Sequence, residues 1–195
     1  MPMRTEAVIR DKPAHQSVQL PENIFEQVVA NAPLVAVDLL VEDSARRVLL
    51  GWRTNPPARD SWFVPGGRVR KNETLQEAFE RITSAELGTL FSIDQSIFIG
   101  VYQHFYPDNF LGNPHASTHY LALAYRLWSG DKTLSLPRTQ HARYHWAEPA
   151  SVAQDETVHP YTRAYFSTHK KSESGFNTSP DTPFISNHTL QSPSL

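Results

Sequence analysis

The 195-residue chain carries 18 basic and 20 acidic residues, and 39% of its residues are hydrophobic. A chain of this size buries one core, so we expect one domain, and the near balance of charge argues against nucleic acid as the main partner. The sequence has no cysteine, which excludes disulfides, thiolate nucleophiles and cysteine-ligated zinc. It shows no apolar run long enough for a membrane span and no secretory signal, so we expect a cytoplasmic protein without membrane contact.

Both ends of the chain have the composition of tails. Residues 1–19 lack hydrophobic periodicity, and residues 171–195 are dominated by serine, threonine, proline and asparagine, which is too polar a mixture to support a core. We therefore predict a flexible N-terminal tail over 1–19, a folded domain over 20–170 and a disordered C-terminal tail over 171–195.

The folded part alternates between helix and strand patterns. A first helix is predicted over Ile24 to Val29, starting near Pro21. Apolar runs predict strands at residues 34–41, 47–52, 61–64, 97–106, 118–127 and 143–147. A closing helix is predicted over residues 157–169, starting or kinked near Pro160. Mixed strands flanked by helices indicate an α/β fold, an α/β/α sandwich with a mixed central β-sheet.

Residues 66–88 are the most informative segment. They begin with two glycines, and Thr74 followed three residues later by Glu77 predicts a capping box, with Gly88 as the stop of a helix over 75–87. One face of this helix is predicted to be apolar and consists of Leu75, Ala78, Phe79, Ile82 and Ala85. Glu86 projects from that face, where a carboxylate is costly unless it is paired or binds a metal. The alternative is a glutamate at a frayed helix end.

This segment resembles a Nudix box. The family pattern places glycines, glutamates and an arginine at fixed spacings, which Gly67, Glu73, Arg81, Glu86 and Gly88 match. Ile82 and Ala85 stand where the pattern has two further glutamates. An ordinary member of the family is expected to gather those carboxylates around Mg²⁺ and to cleave a diphosphate at phosphorus. The two substitutions therefore indicate a different chemistry.

A narrower resemblance covers residues 20–170. Segments 53–58, 62–68, 103–106, 118–120 and 140–141 are similar to the GDP-mannose mannosyl hydrolases, an atypical Nudix branch. The resemblance implies the Nudix fold, a homodimer, and hydrolysis of GDP-mannose to GDP and free sugar by water attack at the anomeric carbon with inversion. GDP-glucose and GDP-fucose stay open as alternative substrates.

The resemblance also implies a set of site residues. One Mg²⁺ would be bound by the Gly66 carbonyl, Glu86 and Gln140. The substrate-binding positions implied are Arg53 and Arg68 at the diphosphate, Tyr120 at a phosphate, Asp38 at the sugar, and the box arginine Arg81.

His141 is the candidate general base. Neutral imidazole takes a proton from attacking water near pH 7 without a second carboxylate, which would explain why Ile82 and Ala85 are tolerated. His104 would assist or orient it. His141 and Gln140 are expected in an irregular stretch between Pro137 and Arg143, where loops carry function.

Structural alternatives exist for several of these residues. Asp38 could be a buried strand aspartate paired with an arginine, Arg81 could pair with Glu73, and Tyr120 could serve packing alone. The spacings of His115 to His119 and of His141 to His145 resemble zinc pairs, but without cysteine we do not expect zinc.

Two other functions are kept open from the sequence. One is a Nudix pyrophosphohydrolase that cleaves a nucleotide sugar at phosphorus, which the two lost carboxylates disfavour. The other is a catalytically silent Nudix module that binds a nucleotide sugar. The presence of Glu86, Gln140 and His141 together disfavours silence.

Overall fold

The computed structural model describes residues 19–138 and 141–167, together with the backbone of Phe176–Asn177. The helices are α1 (Glu22–Asn31), α2 (Leu75–Leu87), α3 (Pro149–Val152) and α4 (Pro160–Ala164), with a 3₁₀ helix at Ile93–Gln95. The strands are β1 (Leu34–Asp43), β2 (Val48–Arg53), β3 (Trp62–Phe63), β4 (Gly66–Arg68), β5 (Ser96–Tyr106), β6 (Thr118–Gly130), β7 (His141–Ala147) and β8 (Phe176–Asn177).

These strands form one mixed sheet. Its order is β3-β2-β1-β6-β5-β8, with β4 beside β1 and β7 beside β2. β1 runs parallel to β6, whereas β2 and β4 pair with β1 in the antiparallel sense. The predicted α/β fold with a mixed central sheet is thereby confirmed.

Two apolar clusters hold the helices to the sheet. In the first, alternate residues Val37, Leu39 and Val41 of β1 pack with Phe79 and Ile82 of α2. In the second, Val48, Leu50 and Phe63 pack with Val152 of α3 and with Tyr161 and Tyr165 at α4. Side chains of a strand alternate between its two faces, so β1 supplies one cluster with every second residue.

Local signals define α2 as predicted. Thr74 accepts from the Glu77 N–H and Glu77 accepts from the Thr74 N–H, which completes the capping box, and Gly88 ends the helix at φ 64° in the left-handed region. The predicted apolar face is wrong at Ala85, which is exposed. The buried stripe runs instead through Phe79, Ile82 and Glu86, and Ala85 lies about 100° around the helix from Glu86.

Three further expectations differ from the structure. The sequence predicted no strand at the two glycines that begin segment 66–88, but they form β4, because Gly66 and Gly67 pair with Asp38 and Val37 of β1. β7 begins at His141 rather than at 143, because His141 pairs with Arg53 of β2. His141 therefore lies in a strand and not in the irregular stretch that the sequence suggested.

The closing helix is shorter than predicted. Pro160 is its first residue, as its fixed backbone angle favours, but the helix ends at Ala164. The chain before it is extended, because Val158 forms a β-bridge with Trp62. Residues 168–169 of the predicted helix lie outside the described residues.

The outer edge of β5 is occupied at two places. Val101 and Tyr102 pair with Phe176–Asn177, two residues of the segment predicted as a C-terminal tail. Further along, the Tyr161 hydroxyl accepts from the Phe105 N–H and donates to the Phe105 carbonyl, both at 2.7 Å. Within the described residues, no helix is long and apolar enough to cross a membrane.

Candidate functional site

Glu86 and His141 form a buried contact between α2 and β7. Oε2 of Glu86 lies 3.7 Å from Nε2 of His141, and the side chains are 8% and 1% exposed. The other ring nitrogen of His141, Nδ1, is buried and has no hydrogen-bond partner. It lies against Gly51 of β2, where an added Cβ would stand 2.4 Å from Nδ1. Gly51 therefore makes room for the imidazole.

The Gly66 carbonyl is oriented by the pairing of β4 with β1. The Leu39 N–H donates to the Pro65 carbonyl and the Val69 N–H donates to the Val35 carbonyl, each at 2.9 Å. Backbone groups alternate in an antiparallel ladder, so the N–H and carbonyl of Gly66 face away from β1. Gln140, the third predicted metal ligand, lies outside the described residues.

These groups fit a single hard cation. Mg²⁺ takes oxygen ligands and is usually bound through one or two carboxylates, with water and substrate phosphates completing the octahedron. Glu86 is one buried carboxylate, and the Gly66 carbonyl is a second type of oxygen donor. Across residues 19–138 and 141–167, no three acidic or histidine side chains gather into a metal cluster. A carboxylate and a carbonyl are oxygen donors of the kind that a hard divalent cation takes.

A second buried polar group lies beside α4. Tyr165 donates its hydroxyl hydrogen to Oδ2 of Asp38 at 2.5 Å, and the same hydroxyl oxygen lies 3.2 Å from Nε2 of His104. Burial raises the pKa of the Asp38 carboxyl from 3.8 to about 6, although the Tyr165 hydrogen bond and the Arg53 charge lower it. Burial, with a smaller contribution from His159, lowers the pKa of His104 to about 3, so its imidazole is neutral at pH 7.

Arg53, Arg68 and Tyr120 adjoin this group. Burial raises the pKa of the Tyr120 hydroxyl, while the charges of Arg68 and Arg53 lower it and that of Asp38 raises it. The two guanidinium groups and the Asp38 carboxylate are therefore close enough to Tyr120 for their charges to act on its hydroxyl. The structure brings four of the predicted substrate contacts together.

Each of the two arginines is oriented by a neighbour. Arg53 donates from Nε to the Pro57 carbonyl at 3.1 Å. The Arg68 guanidinium lies over the ring of Phe25 in α1, 3.6 Å from its centre. Both groups keep further N–H donors, since a guanidinium carries five.

Arg81 has a different setting. Its Nε and Nη2 donate to the two carboxylate oxygens of Glu73 at 2.6 and 2.8 Å, and Nη2 also donates to the Arg68 carbonyl at 2.8 Å. Glu73 in turn accepts from the Arg70 N–H at 2.8 Å. The ion pair of Arg81 with Glu73 is the structural alternative that the sequence analysis considered for Arg81. The bond from Arg81 to the Arg68 carbonyl also holds the backbone at Arg68.

The two buried groups meet at Arg53. Glu86 and His141 pack near α2, whereas Asp38 and His104 pack near α4. Arg53 is the strand partner of His141, and its charge acts on Asp38. Arg53 therefore links the strand that carries His141 to the buried group that contains Asp38 and His104.

Sequence reasoning missed the aromatic residues around His104. Tyr161 stacks on the imidazole with ring centres 4.3 Å apart, and Tyr165 bonds to its edge. His159, whose pKa is lowered to about 4 mainly by burial, and Tyr106 pack beside them. The four-residue spacing of Tyr161 and Tyr165 at the predicted closing helix was the available signal, because such residues share a helix face.

Comparisons with protein-family models and with curated proteins both found matches to this chain. A family model described as NUDIX domain matches residues 32–167. Among curated proteins, the low-salt glycan biosynthesis protein Agl8 of Haloferax volcanii is 41% identical over 155 residues, which is 80% of this chain and 92% of that protein.

Solved structures show the same fold at low sequence identity. The MutT protein from Methanosarcina mazei Go1 superposes with a TM-score of 0.56 at 20% identity, covering 70% of this chain and 92% of that one. The NUDIX domain of Shewanella oneidensis NrtR, solved with ADP ribose, gives 0.51 at 17% identity, covering 75% and 96%.

Proposed function

Because the chain belongs to the NUDIX domain family, we propose that it is a Mg²⁺-dependent hydrolase that converts GDP-mannose to GDP and free mannose. In this reaction water attacks the anomeric carbon and inverts it, and the diphosphate leaves. The relative at 41% identity is named for glycan biosynthesis, which supports a substrate that contains a sugar.

The main observation that supports this proposal is that α2 has only one buried glutamate. Of its three glutamates, Glu77 caps the helix at an exposed position, Glu80 bonds to Gln76, and Glu86 alone is buried. Ile82 fills a position where the Nudix pattern has glutamate, and its side chain packs on Gly67. With Glu86 as its single buried carboxylate, α2 lacks the cluster of acidic residues that an enzyme attacking phosphorus is expected to use.

Attack at the anomeric carbon does not require a strongly activated water molecule. The developing oxocarbenium character needs little nucleophile strength, whereas the departing diphosphate gains negative charge that must be neutralised. Arg53 and Arg68 would bind the diphosphate oxygens through their remaining N–H donors, and the Tyr120 hydroxyl would donate to a phosphate.

Mg²⁺ would be held by the Gly66 carbonyl, Glu86 and Gln140. It would supply further positive charge to the diphosphate. Burial of Glu86 in α2 and the pairing of Gly66 with β1 would hold both donors in place.

His141 would take the proton of the attacking water. Its Nε2 faces Glu86 at 3.7 Å, a separation longer than a direct hydrogen bond, so this nitrogen is not committed to the carboxylate. Asp38 and His104 would contact the sugar from the other buried group. Arg53, beside both groups, would place the diphosphate between them.

Isotope labelling tests the proposal. Purified protein is incubated with Mg²⁺ and GDP-mannose in water enriched with heavy oxygen, and the products are separated. We expect GDP and labelled mannose. Label in GMP or mannose phosphate would instead identify a pyrophosphohydrolase, and binding without turnover would identify a silent module. GDP-glucose and GDP-fucose, run in parallel, rank the sugars.

A further inference from the structure

Tyr165 lies between two polar side chains that come from different strands. Its hydroxyl is 2.5 Å from Oδ2 of Asp38 in β1 and 3.2 Å from Nε2 of His104 in β5. Asp38 and His104 are 5% and 3% exposed, so water does not compete freely for these contacts. A single hydroxyl therefore joins two candidate sugar contacts.

The directions of these hydrogen bonds follow from the available hydrogens. A carboxylate only accepts, so the one hydroxyl hydrogen of Tyr165 goes to Asp38. The Tyr165 oxygen then offers His104 a lone pair. Nε2 of His104 must donate to it, and in a neutral imidazole the other nitrogen, Nδ1, is left without a hydrogen.

The ring of His104 is also held on its faces. Tyr161, one helical turn before Tyr165, stacks on it with an interplanar angle of 10°. Phe63 and Tyr106 meet the ring edge-on, with ring centres 6.3 and 6.2 Å away. Stacking fixes the plane of the imidazole, but it does not choose between the two tautomers. That choice depends on the hydrogen bond to Tyr165.

We propose that Tyr165 is a positioning residue that keeps His104 in the Nε2–H tautomer, so that Nδ1 serves as the acceptor for a sugar hydroxyl of the substrate. The role in substrate recognition rests on the proposed function. The tautomer itself does not depend on it. The two parts are therefore tested by separate measurements.

The first measurement is the tautomer of His104. Long-range ¹⁵N–¹H spectra of the labelled protein at pH 7.5 distinguish protonated from unprotonated ring nitrogens, and His104→Gln assigns the signals. In the wild type we expect hydrogen on Nε2 alone. Tyr165→Phe keeps the ring and removes the hydroxyl, so both tautomers should appear. Tyr102→Phe is the matched control, because Tyr102 packs edge-on against Tyr165 with ring centres 4.6 Å apart.

The second measurement separates positioning from general stability. Tyr165→Phe should lower kcat/KM for GDP-mannose about tenfold, as expected for one misplaced hydrogen bond, and leave the affinity for GDP unchanged because GDP has no sugar. A structural role alone would lower the melting temperature and leave kcat/KM at full folding intact.

The outcomes are separable. Hydrogen on Nδ1 in the wild type, or an unchanged tautomer in Tyr165→Phe, overturns the positioning role. If the wild type hydrolyses no GDP-sugar while the tautomer shifts as expected, the proposed function fails and the positioning of His104 stands.

Discussion

Glu86 and His141 meet in the interior with 3.7 Å between Oε2 and Nε2, one from the box helix and the other from the first position of β7. The strand partner of His141 is Arg53, whose charge reaches Asp38 in the second buried group. In the proposed function, a diphosphate bound at Arg53 would adjoin both the proposed metal ligand Glu86 and the proposed sugar contact Asp38.

Glu86→Gln should weaken Mg²⁺ binding and reduce activity by a few orders of magnitude, because it removes the one buried carboxylate of α2. The free energy of unfolding should hold or rise, since a buried charge is lost. Calorimetric titration with Mg²⁺ measures the first effect and denaturant unfolding the second. Glu80→Gln, on the same helix, is the control. Equal Mg²⁺ affinity in both variants would make Glu86 structural.

His141→Gln should lower turnover roughly 10²- to 10⁴-fold while GDP binding stays nearly unchanged. His145→Gln is a matched control on the same strand, where the imidazole meets Trp62 edge-on with ring centres 4.1 Å apart. Mg²⁺ affinity is measured on both variants, because a displaced Gln140 would mimic loss of the base. Full turnover in His141→Gln would transfer the role to His104 or Asp38.

Gly51→Ala should displace His141, because the new Cβ would stand 2.4 Å from Nδ1. We expect a loss of about 1–3 kcal/mol in stability, typical of overpacking a core, and a loss of activity similar to that of His141→Gln. A double-mutant cycle checks the cause. On a His141→Ala background the same Gly51→Ala change should cost much less, and an equal cost would show that the strain lies elsewhere.

Placing glutamate at positions 82 and 85, where the Nudix pattern has it, should change the stability of the protein by different amounts. Ile82 is 1% exposed and packs on Gly67, so Ile82→Glu would bury a carboxylate and cost several kcal/mol in unfolding free energy. Ala85 is exposed, so Ala85→Glu should change stability by less than about 0.5 kcal/mol. Equilibrium unfolding in urea compares them. Similar losses at both positions would contradict the helix orientation described above.

Acid should destabilise the protein between pH 4 and 6 through two histidines, the buried His104 and the partly buried His159. The pKa of His104 is lowered to about 3 and that of His159 to about 4, so in this range the unfolded chain binds two protons that the folded protein does not. Asp38, with its pKa raised to about 6, binds one proton more tightly when folded. Among these three groups the net difference is about one proton, so their combined contribution should lower stability by about 1.4 kcal/mol per pH unit on acidification.

His104→Gln tests this balance. The contributions of His159 and Asp38 then oppose each other, and the slope of stability against pH over this range should be clearly smaller than in the wild type. His115→Gln, at an exposed histidine, should keep the wild-type slope. An unchanged slope in His104→Gln would show that His104 is not held neutral by the fold.

The sequence predicted those features whose causes are local. The bounds of α2 follow from Thr74, Glu77 and Gly88, which act within a turn of the helix ends, and most strands follow from apolar runs. β4 was missed because two glycines favour a loop locally, and only the pairing with Asp38 and Val37 makes them a strand. Nothing near Tyr165 in sequence signals its contacts with Asp38 and His104, since these contacts exist only after β1, β5 and α4 have packed.

The hydroxyl of Tyr161 has a consequence for assembly. It forms hydrogen bonds with both the N–H and the carbonyl of Phe105. At the same edge of β5, Phe176–Asn177 pairs with Val101 and Tyr102. An open strand edge is the usual place where a second chain adds a strand or where aggregation begins. On this stretch of β5 those groups are already bonded within the chain. The homodimer predicted from the sequence would therefore have to associate through side-chain surfaces rather than by extending the sheet across these residues.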